Sequence, residues 1–230
     1  MNIGEQKRKR IKMKMKNNMY NRQLFIMGIL AIIIAPLVLF DTVIVYGLPF
    51  LNSISESGTI ANQTSPVLPT ILGSLAIFGF SYKSKWNSKG DNLCTKIMAV
   101  GFMLVAFQMC GSDYVIQNKV GVFGLSKELS NIAHSVGALV GFGALLVWQL
   151  FFFTKSSGIK TREKVLRNKI YYTCSALSII GILIFIIGAI FDLAHYVFWA
   201  EFVILTLAGI SCITKSEILN IFRDKEVNHE

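Results

Sequence analysis

The sequence predicts an all-α fold, a polytopic bundle of six transmembrane helices with both termini on the cytoplasmic side. Three observations carry that expectation. Apolar windows of about 18 residues or more recur along the whole chain, the length a helix needs to cross a bilayer. The 230 residues are 53% apolar and only 16% charged, against about 25% charged in soluble domains. The lysines and arginines, finally, lie between the apolar segments, dense in one connection and sparse in the next.

The net charge of +10 raises a nucleic-acid partner as a first idea. The placement of the basic residues argues against it, because membrane orientation explains them better than a polyanion does. Cys94, Cys110, Cys174 and Cys212 are far apart and form no C-x-x-C pair. They read as small apolar packing residues.

Three regions follow in order. Residues 1–22 are a basic cytoplasmic tail with eight Lys/Arg and one Glu, a composition suited to solvent or anionic lipid. Residues 23–214 are the transmembrane domain, and residues 215–230 a mixed-charge cytoplasmic tail. The first span covers residues 24–40. It is long for a signal-peptide core and lacks an A-x-A-like exit, so it reads as a retained helix, with Pro36 as a kink. Residues 41–65 form a polar loop without Lys or Arg, in which Asn62-Gln63-Thr64 is formally a glycosylation sequon. Pro66 and Pro69 suit the opening of a second helix, ending near Tyr82. The third span runs from about Thr95 to Ser112, and Asp113 ends it. Ser130 is the expected N-cap of the fourth span, residues 131–153. A basic loop leads to the fifth span, residues 170–191. The sixth covers residues 196–214, joined to the fifth by a tight connection from Asp192 to His195.

Orientation follows from the cation count. The tails and the connections after spans two and four hold 21 Lys/Arg, counting Lys96 at the entry to span three, and the other three connections only 2. Positively charged connections stay cytoplasmic, which fixes six spans and both termini inside. Asp41, Glu56, Asp113, Glu128, His134, Asp192, His195 and Glu201 then all fall at or just within the outward end. Ionisable groups inside a bilayer are expensive and face a bundle interior or a watered cavity. An outward-facing polar pocket is therefore expected, with Asp113, His134 and Glu201 as members and Ser53 and Ser55 folded over it from the first loop. The plainer reading is a structural pairing of His134 with Glu201 or Asp113, with no ligand. Asp41 and Glu128 read as wet rim charges, and His229 belongs to the tail. Ala133, Gly137 and Gly141 repeat every four residues, which serves close helix approach in lipid, either inside the bundle or across a homodimer. Trp86, Trp148 and Trp199 fit an interfacial aromatic belt.

Soluble-enzyme signatures are missing: the sequence has no G-x-S-x-G, no Walker loop and no H-E-x-x-H. Asp192-Leu193-Ala194-His195 is a D-x-x-H, a weak metal signal taken alone.

Several segments carry a resemblance. NSISESGTI, a span ending FGFSYKSK, the AHSVGAL that opens span four, RNKIYYTCS and WAEFVILTLAGISCITKSE resemble, in order, a family of uncharacterised bacterial six-span membrane proteins. More distantly, LPFLNSISESGT with the later His and Glu is similar to the DRAM/FRAG-type six-span proteins, which are linked to membrane trafficking and autophagy. The Ser/Asp/His set near one face resembles the CREST membrane hydrolases. Those place three histidines around zinc, with an H-x-x-x-H pair in the last span. Here only His134 and His195 are at hand, and Glu201 would stand in for the third.

Two functions follow as expectations. In the first, the outward pocket binds a lipid head group or a small ligand without turnover and needs no cofactor. In the second, Asp113, His134 and His195 hold zinc and Ser53 assists its bound water in cleaving a lipid amide or ester. A transporter is a third class, for which the chain is short and shows no inverted repeat. Orientation is tested by cysteine labelling. A cysteine replacing His134 should react with an impermeant reagent from outside the cell, and reaction from the cytosol alone would overturn the scheme.

Overall fold

A computed structural model describes residues 3–59, 66–84, 88–108, 110, 119–155 and 161–224. Six apolar helices dominate: α1 Ile3–Leu39, α2 Val67–Ser81, α3 Lys89–Phe107, α4 Lys127–Val147, α5 Arg162–Phe191 and α6 Tyr196–Ser216. A two-residue hairpin, β1 Lys119–Val120 with β2 Leu125–Ser126, stands before α4. Among the described residues, five stretches are long and apolar enough to cross a membrane: Asn18–Val45, Lys89–Phe107, Lys127–Phe152, Arg162–Phe191 and Tyr196–Ser216. The sixth helix, α2, has only 15 residues, about 22 Å of axis against a hydrocarbon core of about 30 Å.

Boundaries follow local chemistry. The segment read as a basic tail is helical from Ile3 and continuous with the first apolar stretch. The helix runs through Pro36 to Leu39 and then widens to π geometry over Phe40–Val45. α3 begins at Lys89, earlier than its apolar run, because Ser88 caps it by accepting from Asp91 N–H. α4 likewise begins four residues before the expected start. Ser126, not Ser130, is its N-cap, accepting from Leu129 N–H at 3.3 Å. Ser130 lies one turn inside, buried, and accepts from Gln108 Nε2 at 3.0 Å. Thr161 caps α5 in the same manner, through Lys164 N–H.

The helices pack in the order α4–α3–α2–α1–α6–α5. They form two three-helix layers, α4–α3–α2 and α1–α6–α5, joined along the α1–α2 edge like the covers of a book. At the opposite edge the π-helical extension of α4, Trp148–Phe152, packs on α5. Between the layers lies the core, where Leu24, Ile34, Leu72, Met98, Phe102, Trp148 and Phe198 are buried.

Inside each layer, small residues let backbones touch. A Cβ on Gly209 of α6 would stand 2.6 Å from the Gly28 carbonyl oxygen of α1. On α4, Gly137 and Gly141 are buried against Gly101, Phe102 and Val105 of α3. The four-residue repeat that could serve a homodimer is thus covered, at these two glycines, within one chain. Overpacking such a contact costs about 1–3 kcal/mol. Gly209→Ala should lower the melting temperature of the detergent-solubilised protein. Gly143→Ala, where nothing lies within 4 Å of the added carbon, should leave it unchanged.

Candidate functional site

The site is built on the segment after the π-helix. Gly47, with φ +65, turns the chain, and Leu48 N–H returns to the Thr42 carbonyl at 3.0 Å. Residues 50–57 then fold back over the bundle and are fastened to the start of α6. Phe50 lies edge-on to His195 and Phe198 and stacks on Trp199. His195 Nδ1 stands 3.0 Å from the Leu51 carbonyl. The Phe198 amide, one of the donors a helix start leaves unsatisfied, donates to the Asn52 carbonyl at 2.9 Å. Glu201 completes the fastening. Its Oε2 accepts from Ile54 N–H at 2.7 Å and its Oε1 from Ser55 Oγ at 3.0 Å. Leu51 and Ile54 are fully buried beneath.

The segment also holds itself. Glu56 N–H donates to Ser53 Oγ at 3.0 Å, and Glu56 Oε2 accepts from Asn52 N–H at 2.8 Å. This exchange is close to a capping box. Ser57 Oγ donates to the Ile54 carbonyl at 2.7 Å. Ser53, Ser55, Glu56 and Ser57 are all buried.

Below Ser55 and Glu201 lies a cavity walled by Ile34, Ile54, Leu68, Leu72, Phe102, Val105, Phe142 and Leu205. It has room for about one water molecule. Cys110 lies within electrostatic range of Glu201 and Glu56.

The structure brings Ser55 and Glu201 into contact and puts Ser53 in the same loop, but it uses the histidines otherwise. His134 is buried and its Nδ1 meets the Gln108 carbonyl at 2.8 Å. His134 and Glu201 do not bond to one another, since His134 turns to the end of α3 and Glu201 to the loop; the other expected partner of His134, Asp113, falls outside the described residues. Gln108 is itself a clamp, with Nε2 donating to the Val120 carbonyl at 2.7 Å and to Ser130. His134 thereby ties α4 to the end of α3 and to the hairpin. Asp113 lies outside the described residues, as do the sequon, Trp86 and His229. Among the described residues no three of His, Cys, Asp and Glu gather as a metal site would require.

A second polar centre, at the other end of the bundle, is one that sequence reasoning missed. Asp91 is buried and accepts from Trp148 Nε1 at 2.6 Å and from the Tyr82 hydroxyl at 3.3 Å. Tyr20 stands 3.1 Å behind Tyr82 and donates to it in turn. Trp148, expected in the interfacial belt, is 0% exposed and belongs to this network. Lys164 Nζ and Lys215 Nζ both donate to the Phe153 carbonyl, at 3.0 and 3.2 Å. Two cations on the last carbonyl of α4's extension suit the negative end of a helix. Arg167 binds the Phe222 carbonyl, Asp224 at 2.9 Å and Glu217 at 3.5 Å. That set folds the chain beyond α6 back onto α5. The available signal was the basic run before span five, whose Lys164 and Arg167 recur three residues apart, on one helical face.

A hydrogen bond to a buried charged group contributes about 1.5–3 kcal/mol. Trp148→Phe should therefore lower stability by that amount, read from the melting curve in detergent; an unchanged curve would mean that Asp91 does not depend on the indole. Comparison of the chain with family models, with curated proteins and with solved structures finds no match.

Proposed function

We propose that the chain is a multi-pass protein of the cell membrane, crossing six times with both termini cytoplasmic. Its outward end binds a lipid head group or small polar ligand at Glu201 and Ser55, without turnover. The orientation rests on the asymmetry of Lys and Arg between connections. It places the residue 50–57 segment outside and the Asp91 centre at the cytoplasmic face.

One observation carries the binding role: a carboxyl group placed over a cavity in an apolar bundle, where it accepts from the neutral donors Ile54 N–H and Ser55 Oγ. A carboxylate accepts at about four positions, so the bonds from Ile54 N–H, Ser55 N–H and Ser55 Oγ leave room for one further donor. Intramembrane ionisable groups are costly enough that function is the default reading. A six-span count requires the 15-residue α2 to cross where the membrane thins, the way short helices are accommodated.

The test is the Glu201→Gln variant, expressed in membranes and purified in mild detergent. The wild type should carry a small molecule or lipid detectable by mass spectrometry, and the variant should lose it while melting within a few degrees of wild type. Retention of the same bound species by a folded variant would sink the proposal.

A further inference from the structure

We propose that the seam where α5 meets α6 and the π-helical extension of α4 is a hydrated half-channel, leading water from the Asp91 end of the bundle to its middle. In the orientation proposed above that end is cytoplasmic. The hydration itself depends neither on that orientation nor on a ligand at Glu201. The composition of α5 is the first argument. Its apolar residues face outward, with Leu177, Ile179, Ile180 and Leu183 exposed. Its buried positions from Lys164 to Ser178 are all polar or cysteine: beyond Lys164 and Arg167 they are Asn168, Tyr171, Cys174, Ser175 and Ser178. From Asn168 to Ser178 this face is about 15 Å long at 1.5 Å per residue. Polar side chains inside a membrane bond across helices or line water, so their partners decide between the two.

Those partners are the second argument. Gln149 Nε2, on the extension, donates to Ser211 Oγ of α6 at 2.6 Å, and Cys174 bonds Ser211 as well. Gln149 Oε1, Asn168 Oδ1, the Tyr171 hydroxyl and Ser175 Oγ, by contrast, are buried and have no hydrogen-bond partner among the described residues. All four residues are at least nine-tenths buried. Leaving four polar atoms of one seam unbonded in an apolar medium is costly. Water removes that cost, because one molecule bonds two to four such groups at once. Close packing accounts for serine and cysteine at a helix contact. It does not account for a glutamine and a tyrosine whose polar ends meet no protein group.

The two ends of the seam are the third. At the start, Arg167 bonds Asp224, whose side chain is 40% exposed, so bulk water meets the first turn of the buried face. At the far end the polar lining stops. Gly181, the next buried residue after Ser178, stands against the apolar side chains of Val203 and Ile204. The same antiparallel register sets Cys174 beside Ser211 and Gly188 against Tyr196. In that register Leu205 lies within about one helical turn of the level of Ser178. Leu205 also walls the cavity beneath Glu201. The half-channel thus carries water to within about one turn of that cavity, and the apolar Ile204 and Leu205 close it there.

The experiment is water-edited solid-state NMR on the full chain in lipid bilayers, with isotope-labelled Tyr, Ser and Leu. Polarisation should pass from water to Tyr171, Ser175 and Ser178 several times faster than to Leu177, which lies at the same depth on the exposed side of α5. Equal rates at all four residues would overturn the half-channel. Gln149→Leu combined with Ser175→Ala removes two of the unbonded polar atoms, and transfer to Ser178 should then fall to the Leu177 rate. Ser175→Ala alone, which adds no bulk, should slow that transfer in part and guards against a double variant that fails to fold. Transfer to Ser178 at the wild-type rate in a folded Ser175→Ala protein would show that these groups do not hold the water, and would overturn the proposal.

Discussion

The bond between Glu201 and residues 54 and 55 is the constraint on which the upper half of the molecule depends. A polar segment of eight residues has no reason of its own to enter an apolar bundle. It does so because Leu51 and Ile54 bury beneath it and because its backbone groups find partners on α6. Glu201 supplies the partner that faces the interior, and a carboxylate there needs donors as much as the loop needs an acceptor. Each offsets the other's desolvation. The result closes one end of the bundle and leaves a carboxyl group at a cavity head.

The other end is closed by different means. There Asp91 draws Trp148 and Tyr82 inward, two lysines gather on one carbonyl, and Arg167 returns the chain after α6 to α5. Between these polar ends the helices rely on glycine contacts within layers and on large side chains between them. The middle of the molecule is thus held by shape and its ends by hydrogen bonds. In a membrane this division is physically apt, since helix association in lipid draws on packing rather than on expulsion of water.

Helical class, the number of apolar segments and the ends of α5 and α6 near residues 191 and 216 were legible in the sequence, because hydrophobic length is a local quantity. Helix starts were less so. Ser126 and Ser130 are both good caps, and only the hairpin before α4 decides between them. The approach of Ser55 to Glu201 could be framed from charge placement and the need to cover it. The partner of His134 could not, because a backbone carbonyl leaves no mark on composition. The Asp91 centre was hidden for a related reason. Its members span residues 20 to 215, and tyrosine, tryptophan and lysine at helix ends look the same whether they touch water, head groups or one another.

The pairing of α1 with α6 bears on the order in which the molecule can be assembled. Gly28 and Gly209 meet at backbone distance, yet a ribosome makes the first long before the second. Neighbouring pairs such as α3 with α4 can settle as soon as both have been made. The first helix has no such nearby mate beyond the short α2, and waits until the last has been made. A nascent chain halted anywhere before residue 209 therefore holds an unclosed layer, and its opening helix is the segment that quality-control proteases would meet first.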